Sequence, residues 1–319
     1  MKRAFVFPGQ GAQTVGMGHD LAQAYPAARA VFEEVDDALG EPLSELVWSG
    51  EADTLTLTRN AQPALMATSI AAMRALEAEG VSLADHAACV AGHSLGEYSA
   101  LVAAGSLTLG DAARLLRTRG DAMQGAVPVG VGAMAALLGL GLEDARAVAA
   151  EAAQGEICQA ANDNDPGQVV VSGHRDAVLR ALDIAKAHGA KRAMLLPVSA
   201  PFHCDLMAPA ARIMEAALGD VEIHRPAVPL VANVTAAPVE DPAQIRRLLV
   251  EQVTGAVRWR ESVGAMTDLG VTEIWEIGAG KALSGMVRRI DKTVATRAVG
   301  TPGDVAAAIV SLKESDPDV

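Results

Sequence analysis

Aromatic side chains are scarce in this sequence: four Phe, two Tyr and three Trp among 319 residues. Alanine and glycine are abundant instead, so the core must be built by close helix-on-sheet packing of small residues. Cysteine is scarce too. Cys89, Cys158 and Cys204 are odd in number and lack metal-ligand spacing. That excludes a disulfide scaffold and points to reduced thiols in a cytoplasmic protein. Basic charge is in deficit, with 26 Lys and Arg against 39 Asp and Glu and a net charge of −13. This disfavours nucleic acid as a partner, and an acidic protein partner would need a local positive face. Long apolar runs are missing as well. The longest weakly polar stretch, residues 127–142, is glycine-rich and shorter than the roughly 20 residues of a membrane helix. No membrane association is expected. "MKRAFVFPGQG" turns to Pro and Gly too early for a signal peptide.

What is present is half hydrophobic, enough for a sizeable core. "AFVF" (4–7) and "AACVA" (87–91) predict buried strands, and residues 17–39 and 61–79 predict helices, the second capped by Gly80. Strands alternating with helices imply a parallel sheet covered on both faces. Between Pro128 and Pro201 the pattern changes to βαββαβ, a small ferredoxin-like unit of its own. The expected fold is therefore α/β: a large α/β-hydrolase-like domain (1–128 and 199–319) with an inserted ferredoxin-like subdomain (129–198). The closing "KESDPDV" reads as a frayed tail.

"GHSLGEYSA" (92–100) fits G-x-S-x-G between an apolar run and a helical one. Such a turn lifts a serine to the carboxyl edge of a sheet, its small neighbours letting the elements close in. Ser94 is then a nucleophile or a residue in a structural turn. A nucleophilic serine needs a base. Among seven histidines, His203 in "SAPFHCDLM" follows a predicted strand, where α/β sites are built, and comes after the serine in the chain. His93 reads as a packing or hydrogen-bonding neighbour. "PGQGAQ" (8–13) follows the first strand and could bring backbone N–H donors to the same edge. Arg114, Arg117 and Arg119 lie on one predicted helix, and their spacing does not choose among them.

"FPGQGAQ", "GHSLGEYSA", Arg119 in "RTRGDAMQ", "PFHCDLM", "NVTA" and "EIGAGKALSG" occur here in order. Together they resemble the malonyl-CoA:acyl carrier protein transacylases over nearly the whole chain. The resemblance implies an S-malonyltransferase of fatty acid biosynthesis that works by ping-pong acyl transfer through Ser94, with His203 as base. It implies an oxyanion hole from the N–H groups of Gln10 and Leu95, and a main-chain carbonyl of Gln252 orienting the histidine. It also assigns Arg119 to the malonyl carboxylate, with His93 and Phe202 beside the substrate. Phe202 replaces the serine common in single-chain relatives, which favours malonyl over methylmalonyl. Asp205 reads as a helix N-terminal residue rather than a third triad member. The glycines near Lys281 read either as a contact for coenzyme A phosphates or as a solvated loop. No cofactor or metal is expected. The partners implied are malonyl-CoA and an acidic carrier protein, docking near Lys186–Arg192 in preference to Arg114/Arg117 or Arg288/Arg289/Lys292, on a monomer. Rival readings are a stand-alone acyltransferase of a polyketide synthase, a malonate decarboxylase subunit, a serine esterase and a non-enzymatic carrier-binding subunit.

Overall fold

The computed structural model describes residues 2–315. Ten strands form two sheets. Six of them, β1 (Arg3–Phe7), β2 (Cys89–Gly92), β7 (Leu230–Ala232), β8 (Ala237–Val239), β9 (Glu273–Ile277) and β10 (Ala295–Val299), build the larger in the order β10-β9-β1-β2-β7-β8. All pairings in it are parallel except β7 with β8. Alternation along β1 shows why both faces are covered. Phe5 and Phe7 enter one apolar cluster with the helix Thr58–Ala78, while Ala4 and Val6 enter another with Trp259, Val263 and Leu283.

The helix Thr58–Ala78 is buried almost all round, as a central core helix must be. Pro63 lies inside it and has no N–H for the carbonyl four residues earlier. That carbonyl belongs to Arg59, and Arg117 Nη1 donates to it at 2.7 Å.

β3 (Gly132–Leu138), β4 (Cys158–Asp165), β5 (Gln168–His174) and β6 (Arg192–Leu195) form a separate antiparallel sheet in the order β4-β5-β3-β6. Helices Leu142–Ala153 and Arg175–Ala187 pack on it around their own apolar cluster. The order of elements is the βαββαβ read from the sequence. Two ion pairs tie this sheet to the larger body: Arg260 to buried Asp163 at 2.8 Å, and Arg289 to buried Asp165 at 2.7 Å.

Some expectations need correcting. The helix expected over 17–39 is two, His19–Ala24 and Pro26–Leu39, broken at Tyr25 because Pro26 excludes helical geometry before it. Helices Leu43–Ser49, Ala52–Thr56 and Pro302–Ser315 and strands β8 and β10 were not anticipated. Of the expected frayed tail, 313–315 belong to the last helix and 316–319 lie outside the described residues. Among the described residues, no helix is long and apolar enough to cross a membrane. All three cysteines are buried free thiols.

Candidate active site

Ser94 follows β2 directly, in a turn that only small neighbours permit. A β-carbon on Gly92 would stand 1.9 Å from the Gly96 carbonyl carbon, and one on Gly96 would stand 2.3 Å from the Phe7 carbonyl oxygen. Ser94 itself has φ 54, a left-handed conformation that disfavours an L side chain. Two amides hold it there. Ser94 N donates to Asn233 Oδ1 at 2.8 Å, and Gln252 Nε2 donates to Ser94 O at 2.9 Å.

His203 arrives from the other side. The strand before it was expected to run to residue 199. Instead β6, the last strand of the small sheet as the βαββαβ order implies, ends at Leu195 and is followed by an irregular segment to His203. His203 is a second positive-φ residue, at 58. Its Nδ1 lies 2.9 Å from the Gln252 carbonyl oxygen, and its Nε2 lies 2.7 Å from Ser94 Oγ. A carbonyl only accepts, so Nδ1 carries the proton and Nε2 is left to accept from the serine hydroxyl. Burial, and then the Arg119 charge, push the His203 pKa down to about 3. The imidazole is therefore neutral and able to act as a base at ordinary pH.

Arg119 is buried. Its Nη2 donates to Ser94 Oγ at 3.1 Å and to Gln252 Oε1 at 2.8 Å, and its Nη1 donates to Gln62 Oε1 at 2.7 Å. It directly contacts no carboxylate, and burial lowers its pKa. A desolvated guanidinium beside a serine hydroxyl, held by neutral oxygens, is a site prepared for an anion. Arg114 and Arg117 point elsewhere, to Asp111 and Glu41.

These groups line a cavity of about 410 Å³, together with Gln10, His93, Leu95 and Phe202. The Gln10 side chain is fixed by Thr58 Oγ1 at 2.9 Å. His93 Nε2 is 2.9 Å from Asn164 Oδ1 at the end of β4, and burial lowers its pKa. Among the described residues, no three His, Cys, Asp or Glu side chains gather as a metal ion would require.

Residues 4–299 match the acyl transferase domain family. This chain belongs to that family. It is 45% identical over 316 residues, 99% of this chain and 98% of its relative, to the malonyl CoA-acyl carrier protein transacylase of Bacillus subtilis (strain 168). It is 45% identical over 306 residues, 96% and 98% of the two chains, to that of Escherichia coli (strain K12). The crystal structure of the acyl-carrier-protein-S-malonyltransferase from Bartonella henselae matches with a TM-score of 0.96 at 54% identity, covering 98% of this chain and 99% of that one. A malonyl-transacylase in complex with its type II polyketide synthase acyl-carrier protein matches at 0.94 and 43%, covering 98% and 100%.

Other expected residues of this acyltransferase lie elsewhere. Lys281 lines a different cavity with Asp20 and Asp304, away from Ser94. Asp205 opens the 3-10 turn Asp205–Met207, which runs directly into the helix Ala208–Gly219, and its Oδ2 accepts from Gln159 at 2.7 Å. Gln62, Glu97 and Asn233 are part of the hydrogen-bonded shell and were not singled out from sequence.

Proposed function

We propose that the chain transfers the malonyl group from malonyl-CoA to the phosphopantetheine thiol of an acyl carrier protein, in fatty acid biosynthesis. One observation carries this reading. Ser94 Oγ meets a neutral imidazole nitrogen at 2.7 Å and a buried guanidinium at 3.1 Å. Malonyl has a single methylene between its thioester carbonyl and its carboxylate. A clamp for that carboxylate must therefore touch the nucleophile's surroundings, as Arg119 does.

In the first half-reaction, Ser94 Oγ attacks the thioester carbon and its proton passes to His203 Nε2. Backbone N–H groups of Leu95 and Gln10 receive the developing oxyanion. Collapse expels the coenzyme A thiolate, which takes the proton from His203. In the second half-reaction, the carrier thiol gives its proton to His203 and attacks the acyl-serine. Ser94 Oγ then leaves and recovers the proton. The Gln252 carbonyl keeps the imidazole in the required tautomer in place of an aspartate. Phe202 narrows the space where a 2-methyl branch would sit, and His93 lines the same cavity. No metal or organic cofactor enters any step.

We read residues 129–198 as a subdomain inserted into a large domain of 1–128 and 199–319; the separate sheet and separate apolar cluster support this. We place the carrier near Lys186–Arg192, where Lys191 and Arg192 are exposed at the start of the strand whose exit, Leu196–Val198, lines the cavity, while Lys186 pairs with Asp183. Of the other basic groups considered, Arg117 and Arg289 are spent on ion pairs. A monomeric, cytoplasmic enzyme fits this reading. A polyketide carrier is the second reading, favoured by the match to the polyketide transacylase complex.

The test is intact mass after brief incubation with malonyl-CoA. A malonyl adduct is expected on the wild type, absent from Ser94→Ala and discharged by carrier protein. An adduct that decays equally fast without carrier would make this chain a hydrolase.

A further inference from the structure

Glu97 is a buried carboxylate that the mechanism above does not use. It lies in the first turn of the helix Gly96–Ala103, three residues past the nucleophile, and is 1% exposed. Burial pushes its pKa up to about 7 against the opposing pull of Gln252, Asn233 and Arg119. A carboxylate kept in such a place at a cost in solvation invites the question of what it holds.

Its Oε2 accepts from Gln252 Nε2 at 2.6 Å and from Asn233 N at 3.3 Å. These two residues are the ones that grip the strained serine peptide, Asn233 at its N–H and Gln252 at its carbonyl. Gln252 also presents Oε1 to Arg119, and its main-chain carbonyl holds His203 Nδ1. A glutamine amide can turn over, exchanging its oxygen and nitrogen. A carboxylate on one side and a guanidinium on the other allow only one orientation. Turned over, the amide would set N–H against N–H at Arg119 and oxygen against oxygen at Glu97.

We propose that Glu97 is the positioning residue of this site: as hydrogen-bond acceptor it fixes the Gln252 amide and the Asn233 backbone, and through them aligns Ser94, His203 and Arg119. It touches no reacting atom. The proposal rests on the malonyl-transfer reading for its account of Arg119, but its account of Ser94 and His203 stands without that reading.

The test compares Glu97→Met, which fills the space without an acceptor, with Glu97→Gln, whose amide oxygen can still accept from both partners. Three quantities are read on each folded variant: the rate of Ser94 malonylation, the malonyl-over-acetyl ratio, and the rate of Ser94 sulfonylation by a small sulfonyl fluoride. The last needs the serine and histidine but offers Arg119 no carboxylate. A misplacement of the reacting groups by about 1 Å costs on the order of 10²-fold. Glu97→Met is therefore expected to lose about that much in both rates and to narrow the acyl ratio. Glu97→Gln is expected to stay close to wild type in all three. Wild-type rates and ratio in Glu97→Met would overturn the proposal, leaving Glu97 as filler. A Glu97→Gln as slow as Glu97→Met would overturn it too, because charge and not hydrogen-bond acceptance would then matter. Should Glu97→Met not fold, Glu97→Leu, of similar size and also without an acceptor, is read in its place by the same criteria. Failure of the wild type to take up malonyl would sink the functional reading instead, and the sulfonylation rates would still judge Glu97.

Discussion

His203 and Arg119 share one oxygen, Ser94 Oγ, and under the proposed function this couples the base to the substrate. The free enzyme holds a cation beside the imidazole, one of the two main causes of its low pKa. A malonyl carboxylate on Arg119 would cancel that charge and make His203 more basic. The sign follows for activity. A base with a lowered pKa remains unprotonated as pH falls, so acylation by malonyl-CoA should stay flat well below 6.5, the ordinary histidine value. Discharge of the malonyl-enzyme should show its acid limb at higher pH than acylation does, and Arg119→Ala should move the acylation limb upward. Rapid-quench rates of the two half-reactions against pH check this; coincident limbs would deny the coupling. For stability the sign is opposite: the unfolded chain takes up the proton first, so His203 costs stability as pH falls below 6.5. Arg119 was more legible than its neighbours in the sequence. Ala112, Leu115, Leu116, Ala122 and Met123 form a helical stripe into which residue 119 falls, and 114 and 117 do not. The spacing of the three arginines does not choose among them; their place relative to this apolar stripe does, and that signal went unused in the sequence reading. Glu97 was not legible, because a carboxylate in the first turn of a helix is the ordinary surface pattern.

At the scale of the element, the turn after β2 depends on two residues having no side chain. Gly92→Ala would set a carbon 1.9 Å from the Gly96 backbone, and neither side can yield without moving the serine. The variant is expected to lose at least about 3 kcal/mol, the upper end of ordinary overpacking, as read by a denaturant midpoint. Its folded fraction should form no malonyl adduct. A midpoint near wild type would show that the turn can relax. The strands and helices legible in sequence were those with strong signals: the apolar runs at β1 and β2, the two strands of the βαββαβ unit joined at Pro166–Gly167, and the long periodic helices. Those missed were short or half-exposed. β10 carries Thr296 and Arg297 on an edge, β8 contains Pro238, and helices 43–49 and 52–56 are too short to establish a period. The strand before His203 was read four residues too long, because the apolar residues Leu196 and Val198 continue the pattern after β6 has ended at Leu195.

At the scale of the whole molecule, the two sheets are held in register by charged contacts as well as by packing. Asp163 and Asp165 are almost wholly buried, whereas Arg260 and Arg289 remain partly exposed. Asn164, between the two aspartates, meets His93 beside the nucleophile. Arg260→Ala would leave the Asp163 carboxylate buried without its ion-pair partner and is expected to cost about 1–3 kcal/mol. Acylation should slow along with it, because β4 would loosen against the nucleophile turn. A thermal melt and an acylation rate on one sample check both, and an unchanged melt would make this pair a solvated ornament.

Ser94 precedes the small sheet in the chain and His203 follows it, so the 2.7 Å contact between them closes across the seam. This limits how the enzyme can be recombined. A chimaera that takes residues 129–198 from a relative also takes the first part, Leu196–Val198, of the segment that leads to His203. Donor segments should therefore be chosen for their exit path through Leu196–Phe202 before their acyl preference is considered. Cuts made within that path are expected to separate acid–base chemistry from substrate choice.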